Sequence, residues 1–153
     1  MATHRYTAVT AWEGSTGVGY EDYPRAHEVA VPPARAGLAL SSDPAFRGDP
    51  TRLNPEQLLL AAATSCQLLA FLAVAARARI DVVAYRDDAS AEMPEDDRPM
   101  RLTRIVLRPH IRVRGPVTVE RIEHLVEVAH RECFIGNSLR SEMVIEPTVE
   151  VEE

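Results

Sequence analysis

Polar and apolar residues change rhythm several times along this chain, and each change marks an element. Tyr6 to Glu13 alternates with period two, as a half-buried strand does, and so does His27 to Val31. Gly14-Ser15-Thr16-Gly17 between them reads as a turn. Gly37 to Ser41 suits a third short strand, and Asp43 to Leu53, rich in Pro, Gly, Asp and Arg, is a loop leading into a helix. That helix has a clear start, with Asn54 as N-cap, Pro55 at the first helical position and Gln57 at the third position of a capping box. It is expected to run to about Arg79 and is apolar on nearly every face. A helix of that kind needs cover on more than one side, which points to a second subunit.

Asp81 to Met93 is predicted as a strand, followed by an acidic turn from Pro94 to Pro99. Arg101 to Arg114 is the clearest strand. Ile105, Leu107, Ile111 and Val113 face one way, and Arg104, Arg108, His110 and Arg112 the other. Pro109 marks an edge or a bulge. Thr118 caps a helix with the stripe Val119, Ile122, Leu125, Val126 and Ala129, and Gly136-Asn137 ends it. Met143 to Glu152 forms the last strand, burying Ile145, Val149 and Val151 and exposing Glu146, Glu150 and Glu152. The order predicts an α+β fold in one domain, residues 1–153. Its sheets are mostly antiparallel, around a long buried central helix and a second amphipathic one.

Composition narrows the function. The 153 residues are 46% apolar and carry a net charge of −6, which disfavours nucleic acid as a partner. The arginine face of 101–114 is better matched to the acidic face of 143–152 across the sheet. All 17 basic residues are arginine, so no side chain can form a Schiff base and no P-loop lysine exists. Met1 to Gly14 has no continuous apolar run and is not expected to be a signal peptide. Leu58 to Ala76 is long enough to raise the question of a membrane span. It is alanine-rich and interrupted by Thr64, Ser65 and Gln67, so a core helix is the better reading. The protein is expected to be cytoplasmic, with no membrane partner.

The chain has two cysteines, Cys66 in the apolar helix and Cys133 at the end of the second. The cytosol keeps thiols reduced, so they are either plain core residues or a redox couple. A cysteine in mid-helix and apolar surroundings stays inert unless a cation stands beside it. His130 and Cys133, three apart with His124 near, have metal-ligand spacing, but nothing supplies a second ligand pair. No metal or other cofactor is expected.

Asn54-Pro55-Glu56-Gln57-Leu58-Leu59, followed by Ala61-Ala62-Ala63-Thr64-Ser65-Cys66, resembles the signature of the OsmC/Ohr family, in which a cysteine stands ten residues after the glutamate. Ala129-His130-x-x-Cys133 and Asn137-Ser138 resemble the segment around that family's second cysteine, and the order of elements is similar. The resemblance spans nearly the whole chain. It implies an intertwined homodimer that reduces organic hydroperoxides without metal, flavin or haem. Cys66 would attack the peroxide and become a sulfenic acid, and Cys133 would condense with it to a disulfide. A dithiol or lipoyl-type reductant would reopen the disulfide.

The same chemistry calls for an arginine to favour the thiolate and the leaving alkoxide, oriented by Glu56 through a bidentate pair. Ten helical residues span about 15 Å, so Glu56 cannot reach Cys66 along the helix without such a side chain or a bend. Better-studied hydroperoxide-resistance members have an arginine just after the first strand, where this chain has Gly14 to Gly17. Arg25 is the arginine expected here, with Arg47 and Arg52 as rivals. Many members have proline after the second cysteine, and this chain has Phe134, which places it nearer the general OsmC-like branch than Ohr proper. The competing reading is a non-enzymatic module whose apolar pocket holds an acyl-type ligand, with the cysteines as vestigial lining.

Overall fold

In a computed structural model, which describes residues 1–153, Asn54 and Gln57 exchange both bonds of a capping box. The Gln57 N–H donates to Asn54 Oδ1 at 2.9 Å, and the Asn54 N–H to Gln57 Oε1 at 3.0 Å. The helix they start, α1, covers Pro55–Arg77. It stops two residues short of the expected end because Arg79 takes a left-handed conformation, φ 57°. The Ile80 N–H bonds back to the Ala75 carbonyl at 2.9 Å and the Arg79 N–H to Ala76 at 3.0 Å, a Schellman closure without the usual glycine.

The chain forms two compact units, Met1–Leu58 and Leu59–Glu153. The first holds a three-stranded antiparallel sheet of β1 (Val9–Ala11), β2 (His27–Ala30) and β3 (Leu38–Leu40), in that order. β1 is far shorter than the alternation from Tyr6 to Glu13 suggests. Its partner β2 offers only four residues before Pro32, which has no N–H to extend a ladder. Leu40 is the one strand residue of this sheet that is buried.

The second unit corrects three long strands into six short ones. These are β4 (Asp81–Asp87), β5 (Ser90–Glu92), β6 (Arg104–Leu107), β7 (Pro109–Arg114), β8 (Glu142–Ile145) and β9 (Thr148–Glu152). β4-β7-β9 make one sheet and β5-β6-β8 another, so the chain passes between sheets four times. Two of the three breaks, between β6 and β7 and between β8 and β9, coincide with lost ladder donors. Pro109 and Pro147 carry no N–H, and the Arg108 N–H is taken by the Asp87 carboxylate at 2.7 Å. Pairing is mixed: β4–β7 and β5–β6 are antiparallel, while β6–β8 and β7–β9 are parallel. The basic face of β7 meets acids, as the sequence suggests, with His110–Glu150 at 2.9 Å and Arg112–Glu152 at 3.5 Å.

Helix α2 (Val119–Glu132) starts on Thr118, whose hydroxyl accepts from the Arg121 N–H at 3.2 Å. Its stripe of Ile122, Leu125, Val126 and Ala129 packs with Phe71, Val74 and Ala75 of α1 and with Ile111 and Val113 of β7. A smaller core joins Ala63 to Ile105 and Leu107. Within its own chain α1 is covered along one stripe only. Only Ala63, Gln67, Phe71, Val74 and Ala75 are buried, while Leu69 is 63% exposed and Leu72 39%. One sheet and one helix cover a single stripe of a cylinder, and the other apolar stripe is left open.

Candidate active site

Two helix positions bring the cysteines together. Cys66 lies on the flank of α1 between its buried stripe and its open one, and is partly exposed. Cys133 is the C-cap of α2 and is completely buried. Its backbone has turned extended, with φ −67° and ψ 114°, which swings the side chain off the helix. The Gly136 N–H donates to Cys133 Sγ at 3.3 Å, and the Asn137 N–H to the Cys133 carbonyl at 2.9 Å. A Cβ at position 136 would just touch Cys133 Sγ and Met143 Sδ, at 3.4 Å from each. Both thiols are free, and they stand near enough for the Cys66 sulfur to affect the titration of Cys133.

Burial pushes the Cys133 thiol pKa above its ordinary value. The Gly136 N–H opposes that shift, and the neighbouring Cys66 sulfur adds to it. Cys133 is thereby held as a thiol, while its partner is the one that solvent reaches. Tyr85, on β4, is near enough for the Cys133 charge to matter. Its phenol pKa is raised by burial first, then by Asp87 and Cys133, and its hydroxyl has no hydrogen-bond partner. Gln67, next to Cys66, is fully buried and donates to the Val126 carbonyl at 3.3 Å, tying α1 to α2 beside the thiols.

A cavity of about 300 Å³ opens on Cys66. Leu69, Ala70, Ala73 and Arg77 continue the same face of α1, and Glu132 and Phe134 close the far side. The walls are apolar except at the rim, where Arg77 and Glu132 stand 3.7 Å apart. Phe134 is 81% exposed, so its ring is available to a ligand or to another chain.

The remaining expected residues lie in the first unit. Glu56 is in the first turn of α1 and has no ion-pair partner, and no bond joins it to Arg25. The Arg25 guanidinium instead donates to the carbonyls of Tyr23, at 2.5 Å, and Tyr20, and lies over the Tyr23 ring at 3.6 Å. Its Nε is buried with no partner. Arg47 pairs with Glu21, and Arg52 is held between Glu28 at 3.7 Å and Asp49 at 3.9 Å. Sequence reasoning missed Gln67, Tyr85 and the cavity wall. Gln67 interrupts an apolar run in step with Ala63 and Phe71, which is the signal of a polar group on the buried stripe. Nothing local marks Tyr85.

The sequence model of the OsmC-like protein family matches residues 48–148 of this chain. No curated protein matches it. Among solved structures, an OsmC-like protein of unknown function from Vibrio cholerae O1 biovar eltor superposes with TM-score 0.85 at 28% identity, covering 95% of this chain and 100% of that one. An organic hydroperoxide resistance protein OsmC from Legionella pneumophila gives TM-score 0.69 at 19% identity, with 99% and 100% covered. One from Elizabethkingia anophelis gives 0.69 at 20%, with 99% of each chain covered.

Proposed function

Because this chain belongs to the OsmC-like protein family, we propose that it is a thiol peroxidase that reduces organic hydroperoxides to alcohols. The observation that carries this reading is the pair of free thiols within reach of one another, one open to an apolar cavity and the other buried. The Cys66 thiolate attacks the distal peroxide oxygen, the O–O bond breaks, and the alkoxide takes a proton to leave as alcohol. Cys66 is then a sulfenic acid. Cys133, held protonated by burial, supplies both sulfur and proton. The S–S bond forms, the S–O bond breaks, and hydroxide leaves as water. A dithiol or lipoyl-type reductant reopens the disulfide by exchange. The apolar walls of Leu69, Ala70, Ala73 and Phe134 suit an organic group on the peroxide rather than hydrogen peroxide.

The activating role stays with Arg25 and Glu56 in this reading. Glu56 pairs with no cation and Arg25 with no acid, whereas Arg47 and Arg52 are already engaged by acids. The open apolar stripe of α1 supports a homodimer, since Leu69 and Leu72 have no cover from their own chain. The second reading, an acyl-binding module, draws on the absence of any bond between Arg25 and Glu56 and on the apolar cavity.

The deciding experiment compares consumption of cumene and tert-butyl hydroperoxides with that of hydrogen peroxide, with dihydrolipoamide as reductant. The peroxidase consumes the organic peroxides faster, and Cys66→Ser consumes none. No consumption of any peroxide by the reduced wild-type protein leaves the binding module as the account.

A further inference from the structure

The first unit holds a second cleft, of about 340 Å³, whose lining includes Trp12, Tyr23, Pro24, Arg25 and His27. It is a built site. Trp12 Nε1 donates to the Pro24 carbonyl at 2.7 Å, and the indole meets the Tyr23 ring edge-on at 6.4 Å. Gly14 makes that placement possible, because a Cβ there would fall 2.7 Å from the indole. Arg25 is fixed by the Tyr20 and Tyr23 carbonyls and by the face of Tyr23. No acid pairs with it, and its Nε–H is buried without an acceptor. His27 Nδ1 is occupied by the Arg25 carbonyl at 2.8 Å.

We propose that this cleft binds a small aromatic monocarboxylate. The flat walls of Trp12, Tyr23 and Pro24 select a ring. The uncompensated guanidinium selects an anion, and a single cation with two of its five N–H groups already given to carbonyls suits one negative charge rather than a polyanion. No other hydrogen bond engages the guanidinium, and a carboxylate supplies charge-assisted acceptors for its remaining N–H groups. The proposal does not rest on the peroxidase reading.

Trp12 is the only tryptophan, so its fluorescence reports this cleft alone. The reduced full-length protein is titrated with benzoate, 4-isopropylbenzoate, benzamide and acetate. The two aromatic acids are expected to give a saturable change, acetate none, and benzamide binding weaker by about tenfold or more, the scale of a charge-assisted hydrogen bond. Arg25→Gln, which keeps a shorter N–H donor without the charge, should bring benzoate and benzamide to equal affinity. Cys66→Ser, inactive under the peroxidase reading, should bind as wild type does, so failure of one idea is readable apart from failure of the other. No saturable change with either aromatic acid overturns the proposal, as does benzamide binding as tightly as benzoate or an unchanged acid preference in Arg25→Gln. Circular dichroism establishes that the variant is folded. If it is not, Gly14→Ala decides instead: displacing Trp12 should abolish benzoate binding, and retained binding refutes the site.

Discussion

Under the peroxidase reading, replacing Cys133 by serine should separate two chemical steps that the wild-type protein joins. In single turnover, the reaction of Cys66 with peroxide needs no second sulfur, so its rate should stay within about twofold of wild type. The second step should collapse. The two thiols are neighbours, and the buried one is held in place by full burial and by the Gly136 N–H. Even an effective molarity of about 10 M, far below the ~10⁵ M of the best-oriented intramolecular reactions, exceeds about 1 mM external dithiol by roughly 10⁴-fold. Turnover of Cys133→Ser at that dithiol concentration should therefore fall by at least about a hundredfold, and sulfenic acid should accumulate and over-oxidise. Serine is a fair probe because the Gly136 N–H remains as a partner for its hydroxyl. Stopped-flow peroxide reduction measures the first step, and dimedone trapping with mass spectrometry counts the sulfenic acid. Equal slowing of both steps would refute the division of labour, and so would turnover at the wild-type rate.

Two further outcomes follow from the same geometry. Sedimentation at micromolar concentration should show a dimer, and Leu69→Glu, on the open stripe of α1, should shift it toward monomer; a wild-type monomer counts against the homodimer. Burial keeps the Cys133 thiol protonated to higher pH than in the unfolded chain, so its contribution to stability is full below about pH 8.5. Above that, the unfolded state has released a proton that the folded state keeps, and stability falls by at most about 1.4 kcal/mol per pH unit until the folded pKa is passed. Tyr85, shifted upward in the same sense, enters only above about pH 10. Urea unfolding of the reduced protein at about pH 7.5 and pH 9.5 should show this loss, and Cys133→Ser should lessen it; the same loss in both proteins would refute the assignment.

Much of the fold and half of the site could be read along the chain, where the physics is local. The capping box at Asn54 and the cap at Thr118 depend on residues three apart, and both form as read. The charge match of β7 with β9 depends on alternation, which each strand carries within itself. The two cysteine motifs, in order and at matching spacing, led to the family. Tertiary structure decided the rest. Arg79 closes α1 although glycine is the usual signal, because Ile80 and Ala75 can then bond. The strand predicted from Arg101 to Arg114 divides where the Arg108 N–H is taken by Asp87, twenty-one residues away, which alternation alone does not reveal. The meeting of Cys66 with Cys133 and the burial that separates their roles come from the packing of α1 on α2, which no residue encodes alone. The resting place of Arg25 was equally hidden. A guanidinium goes to the acceptors that folding leaves open, and two tyrosine carbonyls, rather than the carboxylate of Glu56, are the ones it found.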